Sequence, residues 1–384
     1  MTEARDRLIQ ISVPATGVDE WEACRGPLEN GWLTQGPAVA AFEKAFAERH
    51  QVGHALATTS CTTGLHLILA AMGIGPGDEV IVPAFTWVAT ANVVLYCGAT
   101  PVFADVDPRT NNIRPEAIME KLTERTRAVI VVHLFGLCVD MESIRSVIPA
   151  GIKIIEDAAC AAGASYKGVP AGGLADAAAF SFHPRKSITT GEGGMVTTND
   201  DNLAAVMNLL RNHGASVSEE QRHKGPRPYL LPEFNLLGFN YRMTDLQGAV
   251  GLVQLGKLDR FLEERRRWAE YYRSRLQRLN WLCLPDFGEP ASEHAWQAFV
   301  TFVDPQCAPA TRNDIMEKLQ AKGISTRPGT HAVYRLGLYR SRFHHEDDDF
   351  PGALACDENT MAIPLHNRMA VEDFDYVIAA LSEL

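Results

Sequence analysis

The chain has no C-x-x-C pair, although it holds eight cysteines. Their positions, 24, 61, 97, 138, 160, 283, 307 and 356, match neither a zinc ribbon nor a small disulfide framework. Buried thiols in a reducing compartment are the expectation. Positive charge is scarce as well. The 36 basic residues face 47 acidic ones, a net charge of −11, which argues against a nucleic-acid surface. One basic cluster, Arg265, Arg266 and Arg267, follows Glu263 and Glu264 and reads as a solvated, self-paired helix face. Long apolar runs are missing too: the richest, Ala128 to Val139, is broken by His133 and is too short to span a bilayer. The first residues run into charge rather than an apolar core, so no signal peptide is read and a cytoplasmic protein is expected. No G-x-G-x-x-G follows the first strand pattern, which ranks a nicotinamide-binding dehydrogenase last. The contiguous run from His344 to Asp349 lacks the spacing that sets ligands on one face, so no metal is expected.

What is present is a large core. The 384 residues are 46% hydrophobic and 22% charged, enough for two domains. From about residue 53, short β-rich runs alternate with amphipathic stretches. Strands are predicted at 54–57, 79–82, 100–104, 128–133 and 153–155, with helices at 62–72, 88–95, 115–122 and 141–147. This rhythm implies an α/β fold, a mostly parallel sheet with helices on both faces. Further strands are predicted at 178–182 and 195–198, a helix at 202–212, and a long polar, proline-punctuated loop at 215–240. A long charged helix from Thr244 to about Leu279 then leads into a small α+β unit. The expected division is 1–250 as a large domain with an N-terminal arm, and 251–384 as connecting helix and small domain.

Three features gather at the presumed strand-end edge. Ile154-Ile155-Glu156-Asp157 is an apolar strand ending in acids. Phe180-Ser181-Phe182-His183-Pro184-Arg185-Lys186 is a strand running into a lysine beside the loop Gly191-Glu192-Gly193-Gly194. Thr59-Ser60-Cys61-Thr62-Thr63-Gly64 is a small polar cluster opening a helix. Each has an ordinary reading: a surface amine, a capping or salt-bridged aspartate, a helix N-cap. Each also has a chemical one. A desolvated lysine forms an imine, an aspartate holds a pyridine nitrogen protonated, and helix-start amides bind phosphate. Together they describe pyridoxal 5′-phosphate.

The strings Gly31-Trp32-Leu33-Thr34-Gln35-Gly36-Pro37, Gly77-Asp78-Glu79-Val80-Ile81, Glu156-Asp157-Ala158-Ala159, Gly191-Glu192-Gly193-Gly194-Met195 and Asn240-Tyr241-Arg242-Met243 occur in this order. With them the chain resembles the DegT/DnrJ/StrS family of sugar aminotransferases, of the fold-type I pyridoxal-phosphate class. The resemblance implies a large domain with a mainly parallel seven-stranded sheet, and a transaminase passing through pyridoxamine 5′-phosphate. It implies that Lys186 carries the cofactor, Asp157 pairs with its pyridine nitrogen and Trp87 stacks on its ring. It sets Cys61, Thr62 and Ser181 at the phosphate, with Asn240 supplied by the other subunit of a homodimer. Cys160 stands where the family usually has a glutamine bonded to the phenolic oxygen, a departure that replaces a good donor with a weak one. His183, Arg327 and His331 are candidate substrate contacts.

By the same resemblance L-glutamate is the amino donor and a keto sugar the acceptor. A nucleotide-linked 4-keto-6-deoxy hexose is the first choice, with 8-oxo-3-deoxy-octulosonate or a keto-cyclitol as alternatives. Related sugar dehydratases carry histidine where Lys186 stands. A cysteine desulfurase, or a silent cofactor-binding regulator, are the other readings, and the family strings and the intact Lys186–Asp157 pair weigh against them.

Overall fold

Within Thr126–Val132, every position from Ala128 on is apolar and buried because both faces of the strand are covered there. Ala128, Ile130 and Val132 pack into one core, whereas Val129 and Val131 pack into the other. Alternation across the pleat makes this inevitable once helices cover a sheet on both sides. The computed structural model describes residues 8–217, 225–285 and 291–384. Seven strands form the main sheet: β1 (His54–Thr58), β2 (Glu79–Pro83), β3 (Thr100–Ala104), β4 (Thr126–Val132), β5 (Lys153–Asp157), β6 (Ala177–Ser181) and β7 (Gly194–Thr198). Their order is β1-β7-β6-β5-β4-β2-β3, and only β7 runs antiparallel to its neighbours. This is the mainly parallel seven-stranded sheet that the sequence implied.

A second, four-stranded antiparallel sheet orders Leu282–Cys283, Phe299–Val303, Thr360–Ile363 and Arg327–Pro328. It has its own core around Tyr272, Trp296, Phe299, Ile315 and Phe374. The 32-residue helix Asp245–Leu276 links the two, opening with a capping box of Thr244 and Gln247. Asp245 also caps a second helix, Pro37–His50, where its carboxylate accepts from the amides of Ala38 and Val39 at 3.1 and 2.9 Å. The two helices cross closely because Gly248 and Gly251 lie at the crossing. A Cβ there would sit 2.7 Å from Val39 N and 2.5 Å from the Phe42 ring.

Four expectations need correction. Arg265 is not on a solvated face: it is 3% exposed and donates to the carbonyls of Trp296 and Leu365 at 3.0 and 3.2 Å. Burial lowers its pKa to about 10, and it ties the long helix to the second sheet. Cys283 and Cys307 are exposed rather than buried, although all eight thiols are free. Helices Val18–Ala23, Arg25–Asn30 and Pro37–His50 precede the first strand, where the sequence pattern predicts no element. Of the 215–240 loop, residues 218–224 lie outside the described residues. The remainder is less polar in effect than expected, with Tyr229, Leu231, Phe234 and Leu237 exposed. Among the described residues, no helix is long and apolar enough to cross a membrane.

Candidate active site

The C-terminal ends of β4, β5 and β6 open onto one cavity of about 280 Å³. Parallel strands all deliver their ends to the same edge, which explains why residues far apart in the chain meet there. Cys61, Thr62, Trp87, Asp157, Cys160, Ser181, His183, Lys186 and Arg327 all line it. Two predicted site residues do not. His331 pairs with Thr86 across a short bridge, exposed, with its ring 5.5 Å from that of Trp87. Asn240 is exposed on an isolated bridge to Asn212. A larger hollow of about 670 Å³ lies elsewhere, beside Arg49, Arg266 and Arg273. Each of these cations already pairs with an acid, Asp259, Glu293 and Glu270 respectively.

Asp157 is the last residue of β5 and is 4% exposed. Thr90 donates its hydroxyl to Asp157 Oδ2 at 2.8 Å, and the Ala159 amide donates to Oδ1 at 3.2 Å. The Cys61 thiol lies 3.8 Å from the same Oδ1 and 3.4 Å from the Ala179 carbonyl. Burial, reinforced by the Asp157 charge, pushes the Cys61 pKa up, so this sulfur stays a protonated thiol. The Cys61 side chain therefore faces the aspartate, and what it offers an anion is its backbone amide.

The helix Cys61–Ala71 begins here because Ser60 caps it, accepting from Thr63 N at 3.1 Å while Thr63 Oγ1 accepts from Ser60 N. The first backbone helical bond is Gly64 N to Ser60 O. The amides of Cys61 and Thr62 precede it and point out of the helix start. Gly194, at the start of β7, is packed against this turn: a Cβ would lie 2.4 Å from Ser60 C and 2.6 Å from Cys61 N. No other residue fits, which is the physical content of the glycine-rich string.

Lys186 follows β6 in a turn held by its own amide donating to the His183 carbonyl at 2.8 Å. Its Nζ lies 3.3 Å from Cys160 Sγ. His183 Nδ1 accepts from the Arg185 amide at 3.2 Å, so a neutral ring carries its hydrogen on Nε2. Burial, then the nearby Arg185 charge, lowers the His183 pKa and keeps it neutral. Desolvation and Arg185 likewise lower that of Arg327.

Several residues at this site carried no sequence signal. Thr90 holds Asp157 but sits one helical turn after Trp87 as an ordinary threonine. Phe135, Gln297, Gly329 and Thr330 also line the cavity. Gln297, just before the strand Phe299–Val303, donates from Nε2 to the Arg185 carbonyl at 2.7 Å and braces the lysine turn. Phe135 adopts φ 58°, a left-handed conformation unusual for a bulky residue, and its carbonyl accepts from the Gln297 amide.

The donor set fits pyridoxal 5′-phosphate. An amine, a buried carboxylate and open helix-start amides face one cavity, and Trp87 at its mouth is 55% exposed. Comparison with known proteins agrees. The chain is 41% identical to a GDP-perosamine synthase of Caulobacter vibrioides, over 98% of each chain. It is 38% identical to the spore coat polysaccharide biosynthesis protein SpsC of Bacillus subtilis, over 100% of this chain and 99% of that one. Among solved structures, a Streptococcus pneumoniae protein named as a sugar aminotransferase, in its PMP form, superimposes with a TM-score of 0.90 at 28% identity. That match covers 98% of this chain and 97% of the other. Residues 14–382 match the DegT/DnrJ/EryC1/StrS aminotransferase family. The chain belongs to that family and is a pyridoxal-phosphate-dependent aminotransferase of fold type I.

Proposed function

We propose that the protein transfers an amino group from L-glutamate to a nucleotide-linked keto sugar, a 4-keto-6-deoxy hexose, in amino-sugar synthesis for a surface polysaccharide or a glycosylated metabolite. The observation that carries this reading is the convergence of Lys186, Asp157 and the Cys61–Thr62 amides on one cavity. Relatives named for a GDP-linked sugar and for a spore coat polysaccharide support the acceptor class.

When bound, pyridoxal 5′-phosphate supplies an aldehyde that takes up the amino group and a ring that accepts electrons. Lys186 would supply the amine that anchors it, and its Nζ would move a proton from and to the substrate α-carbon. Asp157, oriented by Thr90 and Ala159, keeps a proton on the pyridine nitrogen. Cys61 and Thr62 amides, with the Ser181 hydroxyl, hold the phosphate. Trp87 would cover the ring, and Cys160 would stand on the side of the phenolic oxygen. His183 Nε2 and Arg327 face the substrate, with His331 at the rim next to Trp87.

The same reading assigns 1–250 and 251–384 as large and small domains. It also makes the protein a homodimer in which Asn240 completes the partner's phosphate site. Support comes from the exposed apolar segment immediately before Asn240, where Leu231 and Leu237 are 81% and 92% exposed. Eight unpaired thiols suit a reducing, cytoplasmic compartment.

Borohydride reduction of the cofactor-loaded protein, followed by peptide mapping, places a pyridoxyl adduct on Lys186. No adduct there overturns the assignment. Lys186→Ala abolishes turnover while retaining pyridoxamine phosphate. A panel of keto sugars with labelled glutamate identifies the acceptor from the position of the nitrogen in the product.

A further inference from the structure

Cys160 sits on a stiff mount. Its turn is fixed by the Ala158 amide donating to the Ala179 carbonyl at 2.9 Å, the Ala161 amide to the Ala158 carbonyl at 2.9 Å, and the Ala159 amide to Asp157 Oδ1. The same turn is thus anchored to β6 and to the catalytic carboxylate. Lys186, by contrast, reaches the cavity on four rotatable bonds. Among the described residues no carboxylate pairs with its Nζ, and the bond it makes is to Cys160 Sγ at 3.3 Å. A sulfur acceptor is weak, which suits an amine that has to be held in one place and then released.

We propose that Cys160 is a positioning residue for Lys186: its sulfur holds the free amine against the cavity wall, aimed at the cofactor, whenever the lysine is not covalently engaged. This gives the thiol a role on the lysine side of the cavity, apart from any contact with the phenolic oxygen. The proposal rests on the reading that Lys186 carries the cofactor. Its consequence is kinetic. A lysine pinned in reach of its target forms its bond faster than one sampling the cavity, and modest misplacement of a reacting group costs about tenfold or more.

The test uses cofactor-free full-length protein, Cys160→Ala and Cys160→Ser. Covalent capture of added pyridoxal 5′-phosphate is followed by absorbance, and affinity for pyridoxamine 5′-phosphate, which needs no lysine, is measured beside it. Cys160→Ala slows capture about tenfold and lowers kcat with KM for glutamate unchanged. Because a thiol is only a weak hydrogen-bonding partner for the cofactor, affinity for pyridoxamine phosphate stays within about twofold of the parent. Cys160→Ser, which keeps an acceptor and is the gentler change for folding, restores most of the rate. Equal capture rates in all three proteins overturn the proposal. So does an equal slowing in both variants, or a parallel loss of pyridoxamine phosphate affinity, because these mark a packing role or a cofactor contact. Borohydride mapping of the parent protein separates the two levels. With no adduct at Lys186 the assignment of the lysine itself fails, whereas an adduct with unchanged rates removes this inference alone.

Discussion

Glu156 and Asp157 are consecutive acids at the end of one strand, yet they belong to two different regions. The pleat sends them to opposite faces of the sheet. On one face, Glu156 is fully buried and bonded on both oxygens: it pairs with His133 Nε2 at 2.9 Å and accepts from the amides of Gly172 and Leu174 at 2.7 and 2.8 Å. His133 Nδ1 accepts from Val139 N, so Nε2 carries the hydrogen donated to Glu156. On the other face, Asp157 has one hydroxyl and one amide as close donors and opens on the cavity. An acid sealed in the core with both oxygens bonded to internal donors holds structure together. An acid left partly unsatisfied at a cavity wall is available to a ligand.

Mutating each acid in turn tests this contrast. Glu156→Ala strands His133 and two buried amides and costs about 3–5 kcal/mol of stability, read by denaturant unfolding. Activity per folded molecule changes far less. Asp157→Asn does the reverse, keeping the unfolding midpoint while kcat falls roughly a thousandfold, about 4 kcal/mol. If both variants lost stability equally, the division between the two faces would be wrong. A third buried ionisable group sharpens the point. His50, fully buried against Phe46 and Phe180, donates only to the Phe46 carbonyl, and burial pushes its pKa down to about 4. Between about 6.5 and about 4 the unfolded chain binds a proton that the native state refuses. Stability therefore falls as pH drops through that window, by about 3 kcal/mol in all, with no effect above it. His50→Leu flattens this dependence in unfolding titrations at pH 7 and 4.5, values chosen as roughly the two ends of the window. The smallest effect is Thr90→Val, which removes one donor from Asp157. It lowers kcat by roughly tenfold and leaves global stability within about 1 kcal/mol.

Much of this site is legible in the sequence. Lys186 and Asp157 sit at the ends of short apolar runs, and the polar cluster around Ser60 announces a helix start. These signals fit within a few residues. Thr90 and Gln297 are not legible, because a threonine on a helix and a glutamine before a strand look ordinary until the fold aims them at Asp157 and the Arg185 carbonyl. Arg265 misleads for the same reason. Its neighbours in sequence are charged, but its neighbours in space are the carbonyls of Trp296, Gln297 and Leu365. The helices before β1 escape notice too, although Pro37 opens one of them, because its cap, Asp245, comes from about two hundred residues away.

The amino-acid order alone determined the alternation of strands and helices, the local caps such as Ser60, and the placing of a lysine and a pair of acids at strand ends. Hydrophobic period, capping and turn chemistry all act over short stretches of chain. Only the tertiary structure decided which of two adjacent acids faces the cavity, where the lysine's amine rests and which side chains from the second sheet close the site. Those outcomes depend on contacts between residues far apart in the chain, and such contacts exist only once the sheet has brought its strand ends to one edge.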